Sequence, residues 1–478
     1  MNLHDYAGRD AVDLAHLVAT RQVSPSDPSA AALAAAERLN PSVNAFVEIW
    51  QDEPLGMNGA FAGVPFAVKD IGLSVKGRLT EYGSRLAQGI RFDADSDLMM
   101  RFREGGLTPI GRTAIPELAM SVATEPVFGG PTRNPWNLAR SAGGSSGGAA
   151  AAVAAGIVPV AHATDAGGSI RVPASCTGLV GLKPSRGRVA MGPALDEIWG
   201  GLATQFVLTR TVRDSAAFLD LLEGPNVGEP FEITRPTDSY ARSIARSPRQ
   251  LRIGCMADTF NGKSITQPVS DAFAGTIHLL EQMGHIVEPV VFNPGVSWEV
   301  FALAVARYWI TYNASFMHLL ASMTKRTIDL SMVEPASLAV FTQGSATSAL
   351  DLIAAADVRN QVTRATGRYF QNYDVLMTPT LPDLPAPLGT LHADVGNLDG
   401  LGWVSRVLDH APFSSLANFT GIPAISLPLG HDAETNVPIG MQFASRFGTE
   451  DLLLQLAAQL EMTAPWSSRR PSVWAGSD

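Results

Sequence analysis

The chain has 478 residues, 46% of them hydrophobic and 17% charged, and its 35 basic and 45 acidic residues give a formal net charge of −10. This composition suits a large buried core and excludes a disordered or fibrous chain, while an acidic surface with no basic run argues against nucleic acid as a partner. Two cysteines, Cys176 and Cys255, cannot make a disulfide framework, and no Cys/His cluster has zinc spacing, so we expect no metal, no cofactor and a reducing, cytoplasmic setting.

Residues 10–47 read as two helices. Asp10 can cap the first, whose apolar face is Val12, Leu14, Ala15, Leu17 and Val18, and the alanine-rich second runs over 29–39 and ends before Pro41. A strand is predicted at 65–68, a helix near 97–104 and a strand near 107–111. Another helix opens inside a glycine-rich stretch and continues through 149–155, followed by a buried strand at 157–163. The apolar stretch 149–161 is broken by Gly156 and Pro159 and falls short of the about 20 residues that span a bilayer, so no membrane association is expected. The N-terminus lacks a basic segment followed by an apolar one, and no secretory signal is read there.

Further along, 213–222 has the period of an amphipathic helix. Strand 251–256, helix 269–283 and strand 285–291 form one α/β unit. Residues 297–370 read as mostly helical, 374–377 and 424–428 as short strands, and 450–461 as a closing helix. Between them, 379–421 is rich in Pro and Gly and long for a structureless loop, a length that is commonly functional or mobile. We expect one α/β domain over 1–478, with 225–250 as its one soft boundary.

Three segments carry the chemistry. Gly63-Val64-Pro65-Phe66-Ala67-Val68-Lys69-Asp70 is an apolar strand ending in a lysine. Gly143-Gly144-Ser145-Ser146-Gly147-Gly148 leads into the alanine helix, and Thr164-Asp165-Ala166-Gly167-Gly168-Ser169-Ile170-Arg171 follows the buried strand. Singly each is weak: strand-end lysines are mostly solvated, and Gly/Ser loops before helices are common caps or anion sites.

Together, in this order and spacing, they resemble the amidase signature family. So do Asn134-Pro135-Trp136-Asn137, Gly181-Leu182-Lys183-Pro184 and Pro423-Ala424-Ile425-Ser426-Leu427-Pro428. The resemblance implies the amidase signature fold, a large mixed central β-sheet covered by helices on both faces. It also implies roles: Ser169 as the acyl-forming nucleophile, Ser145 as a bridging serine held by a cis peptide, and Lys69 as the base. The oxyanion hole would be the N–H groups of Ala166, Gly167, Gly168 and Ser169, with Ala119 and Met120 beside the substrate. A serine hydroxyl needs an adjacent base, Ser–Lys pairs are a known solution, and burial is what would keep a lysine uncharged. Asp165 and Arg171 are read as braces of the loop.

Two other readings stay open. Gly144-Ser145-Ser146-Gly147-Gly148 also satisfies G-x-S-x-G, which would make Ser146 the nucleophile of an α/β-hydrolase-like esterase. That motif needs a buried strand just before it, which 136–142 is not, and no histidine has triad context; His162 reads as a core or cleft residue. The loop 143–148 could instead hold a nucleotide, although it lacks a P-loop Gly-Lys-Ser/Thr.

The expected substrate is a small-molecule amide or carbamate. The stretches 124–126, 132–136, 162–169 and 450–461 resemble bacterial hydrolases of cyclic amide dimers, aryl acylamidases and urethane hydrolases. Pro116-Glu117-Leu118-Ala119-Met120 departs from the Asp-Glu-Phe-Ala-Met stretch of tRNA amidotransferase subunits. Pocket walls are expected from 119–128, 195–205 and 383–421, including Trp199, Trp403 and Phe413. The reading leaves room for a homodimer.

Overall fold

The computed structural model describes residues 1–194 and 197–477. Its strands are β1 (Phe46–Ile49), β2 (Pro65–Lys69), β3 (Thr108–Thr113), β4 (Arg133–Asn134), β5 (Asn137–Ser141), β6 (Val160–Asp165), β7 (Val180–Lys183), β8 (Thr204–Thr209), β9 (Arg252–Cys255), β10 (Ile286–Pro289), β11 (Val375–Pro379), β12 (Ala424–Asp432) and β13 (Val437–Ser445). The helices are α1 (Leu3–Ala7), α2 (Ala11–Ala19), α3 (Ser26–Val43), α4 (Asp97–Glu104), α5 (Gly147–Ala154), α6 (Arg171–Thr177), α7 (Ile198–Gly201), α8 (Val212–Leu222), α9 (Tyr240–Ser243), α10 (Gln267–Gln282), α11 (Trp298–Thr324), α12 (Pro335–Ser345), α13 (Ala349–Tyr369), α14 (Gly400–His410), α15 (Ser415–Thr420) and α16 (Glu450–Thr463).

Eleven strands form one mixed sheet in the order β1-β3-β2-β6-β8-β7-β12-β13-β11-β9-β10, with helices around it. β2 runs parallel to both β3 and β6, and β9 runs parallel to β10 and β11. The pairings that join these groups are antiparallel. β2, β3 and β8 are buried along their whole length, as strands covered on both faces must be. One apolar cluster holds Val68 and Ala163 with the N-terminal helices, and a second gathers Ala119, Ala166, Trp309 and Trp403. The carboxyl ends of β2 and β6 lie where the two clusters meet.

The structure corrects several sequence expectations. Residues 379–421 are not a structureless loop, since they contain α14 and α15. Asp399 caps α14 by accepting from the Gly402 N–H at 2.7 Å, and Trp403, Val404, Val407 and Leu408 bury one face of it. α3 does not stop before Pro41; it runs to Val43, where Asn44 takes a left-handed conformation and donates its N–H to the Asn40 carbonyl. β1, β7, β8 and β13 were not anticipated. Segment 136–142 does contain a strand, β5, but it pairs with β4 in a separate two-stranded ribbon. Strands on either side of 225–250 share the central sheet. No described helix is long and apolar enough to cross a membrane.

Candidate active site

Because β2 and β6 are parallel neighbours, they deliver their last residues to the same edge of the sheet. In open α/β sheets this carboxyl edge is where ligands bind. Lys69 ends β2, and Thr164 and Asp165 end β6. The Lys69 side chain is fully buried, and its Nζ donates to Thr164 Oγ1 at 2.8 Å.

The third contributor is the turn into α5. Ser145 follows a cis peptide bond after Gly144, and Ser146 forms the N-cap of the helix. Both hydroxyls reach the amine: Lys69 Nζ lies 2.8 Å from Ser145 Oγ and 2.7 Å from Ser146 Oγ. Ser146 Oγ also donates to the Thr164 carbonyl at 3.3 Å. Three hydroxyls therefore surround one amine. An ammonium has only donors to offer them, whereas a neutral amine donates twice and accepts once. Burial pushes the Lys69 pKa well below the usual lysine value, and the Asp165 charge opposes this only in part.

Ser169 is buried in the loop between β6 and α6. That loop is tied down by Asp165 and Arg171. Arg171 Nε and Nη2 each donate to the Asp165 carboxylate at 2.9 Å. Its remaining N–H groups reach Ser414 O, Gln442 Oε1 and Asn418 Oδ1 at 2.6–2.7 Å, so all five donors of the guanidinium are used. Asn418 Nδ2 in turn donates to the Asp165 carbonyl and Oδ1, both at 2.9 Å. Burial raises the Asp165 pKa, but the adjacent Arg171, with Lys183 and Asn418, outweighs it and holds the carboxyl well below the usual carboxylate range.

The clamp alters one expectation. The Gly168 N–H is already spent on Asp165 Oδ1 at 2.7 Å, and the Ile170 N–H on Oδ2 at 3.1 Å. Of the four amide groups expected to form an oxyanion hole, those of Ala166, Gly167 and Ser169 have no protein acceptor among the described residues. Gly168 itself sits at φ +130, where a side chain would be strained, and a Cβ there would meet the Ser414 hydroxyl at 2.6 Å.

Ala119 and Met120 are buried on a short turn in which Leu118 and Ala119 both have positive φ. The turn is held by the Trp403 indole, which donates to the Met120 carbonyl at 3.0 Å. The next residues, Ser121 to Ala123, lie directly against Gly144. Trp199 packs on Trp309 with ring centroids 5.4 Å apart, and Phe413 is buried. Leu195 and Asp196, part of the expected 195–205 wall, lie outside the described residues.

His162 is buried beside this site, with Nε2 3.1 Å from Gln205 Oε1, and burial lowers its pKa to about 3. It is neutral at working pH. None of the hydrogen bonds of Ser146 involves a histidine, and residues 143–148 are all buried. Sequence reasoning gave Thr164 no role. Its signal was positional: it lies at the end of a buried strand parallel to the one that ends in Lys69.

Comparison with known proteins identifies the family. The family model described as Amidase matches residues 30–454. A 6-aminohexanoate-cyclic-dimer hydrolase of Paenarthrobacter ureafaciens is 34% identical over 97% of both chains. The structure of a 6-aminohexanoate cyclic dimer hydrolase complexed with substrate superposes with a TM-score of 0.93 at 32% identity, covering 98% of this chain and 99% of the other. A bacterial aryl acylamidase of the amidase signature enzymes superposes with a TM-score of 0.85 at 27% identity, covering 97% and 98%.

Proposed function

This chain belongs to the amidase signature family and is a hydrolase of amide carbon–nitrogen bonds, and we propose that it works through an acyl-enzyme on Ser169 with a Ser169–Ser145–Lys69 relay. The observation that carries this reading is the fully buried Lys69 amine 2.8 Å from Ser145 Oγ, in surroundings that favour its neutral form.

In this mechanism neutral Lys69 accepts the Ser145 proton as Ser145 accepts that of Ser169, and Ser169 Oγ attacks the substrate carbonyl. The developing oxyanion is met by the N–H groups of Ala166, Gly167 and Ser169; such donors are each worth roughly 3 kcal/mol in the transition state. Gly168 contributes by fixing the loop through Asp165. As the tetrahedral intermediate collapses, the carbon–nitrogen bond breaks and the amine leaves with the proton held by Lys69, passed back through Ser145. Water then adds to the ester by the same route, releasing the acid and restoring Ser169. Ser146 and Thr164 hold the amine in place.

Ala119 and Met120 sit beside the carbonyl, and the substrate is a small linear, aryl or cyclic amide, with carbamates open to the same attack. The likeness to a cyclic-dimer hydrolase supports the cyclic class. Two free, buried cysteines fit a cytoplasmic setting.

Labelling with a serine-reactive fluorophosphonate, followed by peptide mapping, tests the reading. The label is expected on Ser169 and lost in Ser169→Ala. A label on Ser146 that persists in Ser169→Ala would transfer the nucleophile to Ser146.

A further inference from the structure

A cavity of about 460 Å³ opens beside the Lys69 strand end. Two of its walls touch the groups just described. Gly72 lines it, and a Cβ on Gly72 would meet the Thr164 methyl at 2.7 Å, on the residue whose hydroxyl holds Lys69. Trp199 also lines it and packs on Trp309, whose ring lies 2.6 Å from where a Cβ on Gly167 would sit. Thr164 thus stands between the cavity wall and the amine, and the stacked rings of Trp199 and Trp309 stand between the cavity and the loop donors.

Its body is apolar, built from residues such as Ile71, Leu73, Phe92, Ile198, Phe316 and Leu319. Its charged lining residues are Asp93, Asp95 and Glu197, and among the described residues no Lys, Arg or His lines it. Asp95 is paired with Arg103 at 2.7 Å, and Glu197 is attracted to Arg186. Asp93 is exposed and makes no ion pair among the described residues.

On the proposed acyl-enzyme reading, we propose that this cavity takes one arm of the amide substrate and selects against arms that end in a carboxylate. An apolar body rewards an alkyl or aryl arm with burial. A carboxylate entering it would lose water, find no cation and meet a negative rim. Uncharged arms, including those of a closed ring, meet none of these costs. The selectivity therefore favours neutral amides over ring-opened or oligomeric acids of the same length.

The test compares kcat/KM for two matched series. In one, the acyl arm of an anilide is hexanoyl or the monoacid adipoyl. In the other, the amine side of a benzamide is N-hexyl or N-(5-carboxypentyl). In at least one series the carboxylate member is expected to be tenfold or more poorer. Leu319→Arg and Asp93→Lys, both at exposed positions, should raise the acid-to-neutral ratio in that series at least threefold. The ratio within each variant is its own control against damage to the enzyme. Equal turnover of acid and neutral members in both series, or ratios unmoved in both variants, would overturn the inference while leaving the hydrolase reading intact. Failure to cleave any of the four amides would count against both.

Discussion

Arg171 grips Asp165 through two bonds of 2.9 Å, and neither side chain has any exposure to solvent. The same carboxylate holds the Gly168 and Ile170 amides on either side of Ser169. The pair is therefore a mould for the loop rather than a surface ornament.

Removing one partner of such a buried pair costs about 3–5 kcal/mol. Arg171→Met is expected to lower the unfolding free energy by that order, read from denaturant melts. Because the Asp165 pKa lies well below the usual carboxylate range, its contribution is fully present above about pH 4 and is lost only as pH falls toward the folded value. The gap between parent and Arg171→Met should accordingly narrow in acid. Asp165→Asn should lower kcat more than it raises KM, since it loosens the donors rather than the substrate pocket.

Lys69 gives a dependence of the same sign in a higher pH window. Its folded pKa is depressed, so at neutral pH the unfolded chain binds a proton that the folded chain does not, and stability rises with pH up to the unfolded lysine value of about 10.4. Relative to Lys69→Met, the parent is expected to gain stability from pH 6 to pH 9 in thermal melts. Lys69→Met should abolish turnover. The acid limb of the parent's activity should survive in His162→Gln, because His162 stays neutral above about pH 3.

The two serines next to the amine should separate in kinetics. In the proposed relay Ser145→Ala removes the hydroxyl that passes the proton from Ser169 to Lys69 and is expected to cost about 10²–10⁴ in kcat. Ser146→Ala removes one bond to Lys69 but leaves the relay, so a smaller loss and continued Ser169 labelling are expected. Single-turnover acylation of an anilide, followed by mass spectrometry of the acyl-enzyme, distinguishes the two.

Glu117 supplies a pH signature outside the relay. Burial first, and then the Glu334 charge, raise its pKa to about 7, although Ser84, Ser337 and the Glu334 N–H all donate to it. A raised carboxyl pKa means that the folded chain holds the proton longer, so stability falls as pH rises from about 4.5 to about 7. Melts of the parent against Glu117→Gln should diverge across that window, the parent losing ground at the higher pH.

The segments of the candidate site were legible because they are short and contiguous: a lysine closing an apolar strand and two glycine–serine turns. The partners of Arg171 were not, because Ser414, Asn418 and Gln442 lie 243 to 271 residues away and only the fold brings them near. β8 escaped notice because it is buried on both faces and shows no alternation. α14 carries a readable apolar stripe, but Gly400 and Gly402 in its first turn, within a Pro/Gly-rich stretch, masked it. Gly168 looked like an oxyanion donor from its sequence neighbours; the competing acceptor, Asp165, became visible only in three dimensions.

The clamp on the Ser169 loop has a bearing on how the enzyme comes into being. Lys69, Ser145 and Ser169 all precede Arg171 in the order of synthesis, yet the groups that lock Arg171 arrive with α15 and β13, 247 and 271 residues after it. Closing contacts over so long a separation is slow. A nascent or truncated chain that already holds every reactive group is thus expected to stay inert, and chemical competence during refolding should appear with the docking of the last strands, not with the first secondary structure.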